Sequence, residues 1–193
     1  MVKVLEYERL DKIAYIYGGL RVTRYADKDN SKKMTVLKKI NNNQNLLETE
    51  TIKLPDSIDK KYYSKENDIL IQVTSTNNTI NMITRDNVII PANYVIVRAK
   101  KGYNPHYILS LLRSNQFKKV ERKLSGGTKL HFIKVPDIRK MRICIPKLEK
   151  QNKIVNIQKL IDRKNQLETK KIEINNMIQE AIFIKELGEK YVR

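Results

Sequence analysis

Cysteine, histidine and glycine are all scarce. One cysteine, Cys144, and two histidines are scattered through 193 residues, so a zinc site of the usual Cys/His spacing is excluded. No disulfide can form within the chain, and the default setting is a reducing cytoplasm. Six glycines leave no Walker A loop, which argues against ATP hydrolysis by this chain. No run of about 18 or more apolar residues is present, so no bilayer-spanning helix is expected. The start, Met1-Val2-Lys3-Val4-Leu5-Glu6, lacks the apolar core of a signal peptide. Low-complexity tracts are missing too, and the Asn run from Asn41 to Asn45 is short enough to read as a surface loop.

What is abundant is positive charge. The 39 Lys and Arg against 21 Asp and Glu give a net charge of +18. Such an excess repels itself, and a polyanion is its natural partner. The charge is uneven. Residues 147–193 carry 11 basic and 7 acidic residues, and residues 1–146 carry 28 and 14. Within the latter, residues 98–142 hold 13 basic residues and only two acids, Glu121 and Asp137. The polyanion contact is expected to centre there.

The first part reads as mixed α and β. Asp68 to Val73, Val88 to Ile90, Tyr94 to Val97 and Arg142 to Ile145 are short apolar runs expected as strands. Asn104 and Pro105 suit the cap and first position of a helix. Ile108, Leu111, Leu112 and Val120 continue it with helical spacing, and Gly126 is placed to stop it. After Pro146 the character changes. From Lys147 to about Leu187 there is neither Gly nor Pro, which predicts one helix about 60 Å long at ~1.5 Å per residue. Leu160, Leu167, Ile174 and Ala181 recur every seven residues, with Ile157 and Ile178 as companions. Lys164 and Lys171 interrupt the companion row. The expectation is an α+β domain over residues 1–146, then a long coiled-coil-like helix over 147–193 with two interacting ends and a polar middle.

Motifs that suggest catalysis have simpler explanations. Asn104-Pro105-His106-Tyr107 approaches the Asn-Pro-Pro-Tyr signature of amino-methyltransferases, but it lacks the second proline, and no Gly-rich loop for S-adenosylmethionine follows a strand. A helix cap accounts for it fully. Asp56 and Asp59 with Lys60 and Lys61 are a poor version of a Mg²⁺ nuclease site, and a turn between strands is the better account. Binding residues are more promising. In Ser125 to Phe132, Gly126 reads as a helix stop. Gly127 lets backbone approach a phosphate, Thr128 and Lys129 supply donors, and His131 can reach a base edge. Arg21, Arg24, Tyr25, Lys32 and Lys33 surround a loop after Gly18-Gly19 that is either solvated surface or a base-reading loop. Lys118 and Arg122, with Lys119 and Lys123, form a solvated helix face or a phosphate contact. Thr76 and Asn77 sit in a turn with side chains suited to hydrogen bonding bases or backbone.

Five segments follow an order that resembles the specificity subunits of type I restriction-modification systems. They are Leu10 to Gly19, Asn67-Asp68-Ile69-Leu70-Ile71, Ile96 to Ser114, the Gly126-Gly127-Thr128 turn, and a junction from Ile143 to Val155 with Pro146 and Gln151 at its landmarks. Two departures stand out. Asn67 takes the place of the usual Gly before Asp68, and Lys147 and Leu148 replace prolines in the junction. The resemblance implies a non-catalytic chain. Such subunits carry two target-recognition domains separated by two long helices. Each domain reads one half of a split double-stranded DNA target, and the helices fix the gap and dock the methyltransferase subunits. S-adenosylmethionine, ATP and Mg²⁺ then belong to the methyltransferase and restriction subunits. One domain and one helix imply a homodimer that reads an inverted repeat. The rival readings are a non-specific nucleic-acid binder and a truncated protein that competes for the methyltransferase without reading DNA.

Overall fold

The computed structural model describes residues 6–26, 31–41, 46–73, 79–124 and 134–188. The chain divides into two units, Met1–Asn152 and Lys153–Arg193. The first opens with β1 (Tyr7–Arg9), α1 (Leu10–Ile13), β2 (Ala14–Gly18), β3 (Ser31–Asn41) and β4 (Leu46–Pro55). Next come β5 (Ile69–Gln72), β6 (Ile80–Met82), β7 (Tyr94–Ala99), α2 (Pro105–Arg113) and α3 (Asn115–Leu124). The last elements are α4 (Val135–Lys140), β8 (Arg142–Cys144) and α5 (Leu148–Leu187). The first turn of α5 lies in the first unit, and the rest of that helix forms the second. The architecture is α+β, as the sequence predicts.

A four-stranded antiparallel sheet in the order β2-β7-β5-β6 is the middle layer. Side chains alternate between its faces. Ile16, Ile69, Ile71, Val95 and Val97 pack on one face with Ile108 and Leu112 of α2, Phe117 of α3 and Ile138 of α4. Leu70, Tyr94 and Ile96 pack on the other with Leu37 and Ile40 of β3. Antiparallel sheets usually keep one wet face. This one has none at its centre, which is why β5 and β7 read as unbroken apolar runs. A separate pair, β1 with β8, brings the ends of the first unit together.

The β3–β4 hairpin is a feature that the sequence reading missed. Four lysines, Lys32, Lys33, Lys38 and Lys39, make β3 look unlike a strand. An irregularity between Leu37 and Lys39 breaks its alternation. Before that irregularity, ordinary alternation sends Val36 into one cluster with Leu20, Leu54, Ile58 and Ile89 and its neighbour Leu37 into another.

Two further expectations need correction. Val88 to Ile90 is fully buried but is no strand of a sheet; Ile89 makes isolated bridges to Val36 and Tyr63. The helix from Asn104 is also two helices. Ser114 adopts an extended ψ of 151° at the end of α2, and its hydroxyl then accepts from Phe117 N at 3.2 Å, capping α3. The proposed stop at Gly126 lies outside the described residues.

The second unit is helical through Leu187. Leu160, Leu167, Ile174 and Ile178 are exposed, as are Ile161, Ile172, Met177, Ile182, Phe183, Ile184 and Leu187. Among the described residues no helix is long and apolar enough to cross a membrane.

Candidate nucleic-acid interface

The residues that resemble catalytic motifs are occupied by structural tasks. Asn104 Oδ1 accepts from the backbone N–H groups of His106 and Tyr107, at 2.9 and 3.3 Å, and so caps α2. Its Nδ2 donates to Asn152 Oδ1 at 2.7 Å. Asp56 pairs with Lys32. Asp59 accepts from Lys61 N at 2.9 Å and pairs with Lys61 Nζ, which holds its carboxyl below the ordinary range. Among the described residues no group of three His, Cys, Asp or Glu could hold a metal ion. An apolar cleft of about 280 Å³ between α2, α3 and β8 includes Phe117, Val120, Met141 and Cys144. No acid or histidine lines it, so it offers no acid–base pair.

The basic segment 98–142 divides by role. Arg98 donates to Asp68 and to Tyr63 O, and Lys100 Nζ donates to Asp11 O. Lys100 also lies 5.1 Å from the Tyr15 ring centre. Arg113 donates to Ile80 O, Arg139 to Ile16 O, and Arg142 to Tyr7 O. These five cations tie elements together. The segment's charge is thus partly architectural, a division that composition cannot reveal.

The remaining candidates fall on two sides of the sheet. Lys118 and Arg122 are exposed on α3, which Phe117 anchors to the helical side. Arg21, Arg24 and Tyr25 are exposed at a 3₁₀ turn, Val22–Arg24, and Val22 packs against the cluster beneath the hairpin. Lys32 and Lys33 part company at the start of β3. Lys32 is held by Asp56, whereas Lys33 is exposed and has no ion pair among the described residues. The structure also supplies a cation that sequence reading missed, Lys53, exposed and directly opposite Lys33 in the β3–β4 ladder. Only the pairing register could have pointed to it. Thr76, Asn77, Gly127, Thr128, Lys129 and His131 lie outside the described residues.

The family model of the type I restriction modification DNA specificity domain matches residues 5–176. The chain belongs to that family.

Solved structures carry the same fold. The HsdS subunit from Thermoanaerobacter tengcongensis matches with a TM-score of 0.60 at 16% identity, over 98% of this chain and 41% of that one. The S subunit of the type I restriction-modification system from M. genitalium gives 0.55 at 14%, over 98% and 48%. A chain from a structure described as the basis of complex assembly and conformational transition of the type I R-M system gives 0.66 at 17%, over 94% and 44%. The chain spans less than half the length of these relatives. No curated protein sequence matches it.

Three positions of this specificity domain now have physical reasons. Asn67 has a φ of 68°, a left-handed conformation that suits Gly and that Asn tolerates better than most residues. The departure from Gly at that position is therefore compatible with the turn. Asn67→Ala is expected to cost about 1–2 kcal/mol and Asn67→Gly much less, as read by chemical denaturation; equal losses would discount the backbone argument. At Gly19 a Cβ would sit 2.0 Å from Pro91 O, so no side chain fits. Gln151, from the junction motif, is buried; its Oε1 accepts from Asn104 N at 3.0 Å and its Nε2 donates to Pro146 O at 2.8 Å. It fastens the first turn of α5 to the start of α2.

Proposed function

We propose that this chain is a DNA-reading half of a type I specificity subunit. Its domain binds double-stranded DNA and reads one half of a split target. Its helix pairs with a second copy, sets the gap between half-sites and docks the methyltransferase subunit. Through that complex it directs the restriction subunit. It supplies no catalytic group of its own; S-adenosylmethionine, ATP and Mg²⁺ are bound by the partner subunits. The observation that carries this reading is the DNA specificity domain match, which runs through the mixed domain and most of α5. The net charge of +18 supports a polyanionic partner. The segment with Gly127, Thr128, Lys129 and His131, the pair Thr76 and Asn77, and the two basic sets described above are the proposed DNA contacts.

Selection from a random duplex library, with the solution mass measured alongside, tests the proposal. Enrichment of two short inverted half-sites at one fixed gap, bound by a dimer, is the expected result. Salt-sensitive binding with no enriched sequence, even with the methyltransferase subunit present, would replace it with a non-specific binder.

A further inference from the structure

We infer that the outer face of the β3–β4 hairpin is a DNA-backbone contact surface, in which Lys33 and Lys53 grip phosphates on either side of a ribbon seated in the major groove. The inference rests on the DNA-reading function proposed above and assigns to it a surface that the sequence alone does not reveal.

The register places Lys33 opposite Lys53 and Thr35 opposite Thr51. Directly opposed residues share a face, so these four form one patch. Neither strand puts an acid on it. Glu50 stands opposite Val36 and Glu48 opposite Lys39, on the alternate positions of β4. Neither Lys33 nor Lys53 makes an ion pair among the described residues. On the reverse side of the same segment Val36, Leu54 and Ile52 pack into the core. On the patch's own side Leu37, two positions beyond Thr35, is buried in a second cluster, so the exposed patch ends at Thr35 and Thr51.

Two like charges directly opposed across a ladder destabilise it. The arrangement becomes favourable when an anion lies against both. Lysine contacts phosphate as a point charge, and threonine hydroxyls donate to phosphate or to base edges. A two-stranded ribbon fits the major groove of B-form DNA, whereas the deep, narrow groove of A-form RNA excludes it. Duplex DNA is therefore the partner that the geometry favours. The hairpin is anchored by Val36 and Leu37 in two separate clusters, which makes it a rigid presenter of those charges.

The test compares the full chain, Lys33→Gln/Lys53→Gln, and the charge-matched control Lys159→Gln/Lys170→Gln on α5. Affinity for duplex DNA is measured across a salt series from about 50 to 200 mM. The hairpin variant is expected to reduce the slope of log affinity against log salt by about two, and to weaken binding of all sequences alike by on the order of tenfold to a hundredfold at ~0.1 M salt. Its melting temperature is expected to equal or exceed that of the wild type, because the opposed charges are gone. The control should keep the wild-type slope. A hairpin variant with the wild-type slope overturns this inference and leaves the specificity reading intact. Absence of DNA binding by the wild type, alone and with the methyltransferase subunit, overturns both. Duplex RNA bound as tightly as DNA, with the same dependence on Lys33 and Lys53, overturns the groove assignment.

Discussion

Replacing Leu160, Ile174 and Ile178 together with Asp is expected to convert the proposed dimer to monomer and to lower affinity for the proposed two-half target by about 10²–10⁴. The three side chains are exposed on α5, at 71%, 55% and 52%. A long helix with this much apolar surface in water is marginal by itself and gains most of its stability from tertiary packing. The apolar residues gather at its ends. Between Asp162 and Lys171 only Leu167 is apolar, whereas Ile172, Ile174, Met177, Ile178, Ile182, Phe183 and Ile184 follow closely. Those later residues surround the axis and do not keep to one stripe, which is the pattern of a helix covered on more than one side. A second copy of α5 would cover part of that surface, and the proposed methyltransferase contact the rest. The affinity loss follows from linkage of two domains, because the second half-site binds at high effective concentration only while the copies are joined. Analytical ultracentrifugation and titration with whole and half targets read both effects. A variant that stays dimeric would remove α5 from the pairing role. A monomeric variant with undiminished affinity for the whole target would show that one domain does all the reading.

Elements whose burial is uniform were legible in the sequence. β5 and β7 have apolar residues on both faces, and α5 has neither Gly nor Pro over 40 residues. Elements defined by pairing were not. β3 has lysines at four of 11 positions and an irregular register, so neither propensity nor alternation marks it, although its partner β4 holds it in place. Ser114 was legible as a cap only after α2 was seen to end before it. Val88 to Ile90 carries the composition of a strand, but its backbone is shared between β3 and the Tyr62–Tyr63 turn, so it never enters a ladder. The interface was harder still. A count of cations cannot separate Arg139, which binds the backbone of β2, from Lys118, which points to water. Lys33 and Lys53 are 20 positions apart in sequence, and only the ladder makes them neighbours.

Asp68→Ala is expected to destabilise the domain by about 3–5 kcal/mol, a large part of the roughly 5–15 kcal/mol that such domains possess. The Asp68 side chain is 1% exposed and that of Arg98 16%. The carboxylate accepts from Arg98 Nε at 2.8 Å and Nη2 at 2.7 Å, and from Lys65 N at 2.8 Å. Arg98 Nη2 also donates to Tyr63 O at 2.8 Å. These bonds tie β7 to β5 and to the turn beside the hairpin. The hydrogen bond and charge of Asp68 hold the Arg98 guanidinium protonated even more firmly than usual. Alanine would leave that cation largely buried without its paired carboxylate, and a buried ion stripped of its partner costs more than the pair contributes. Asp68→Asn keeps an acceptor and removes the charge, so a smaller loss is expected. The double change Asp68→Leu/Arg98→Met removes both charges and should recover much of the stability. At about 2–4 °C per kcal/mol for a chain of this size, thermal melting separates the three variants. With the single change Arg98→Met added, the series decides what the basic segment is for at Arg98. If Arg98→Met lowered DNA affinity while the double variant stayed stable and bound no better, Arg98 would be a DNA contact. If affinity tracked stability through the series, Arg98 would be an internal brace whose charge serves Asp68.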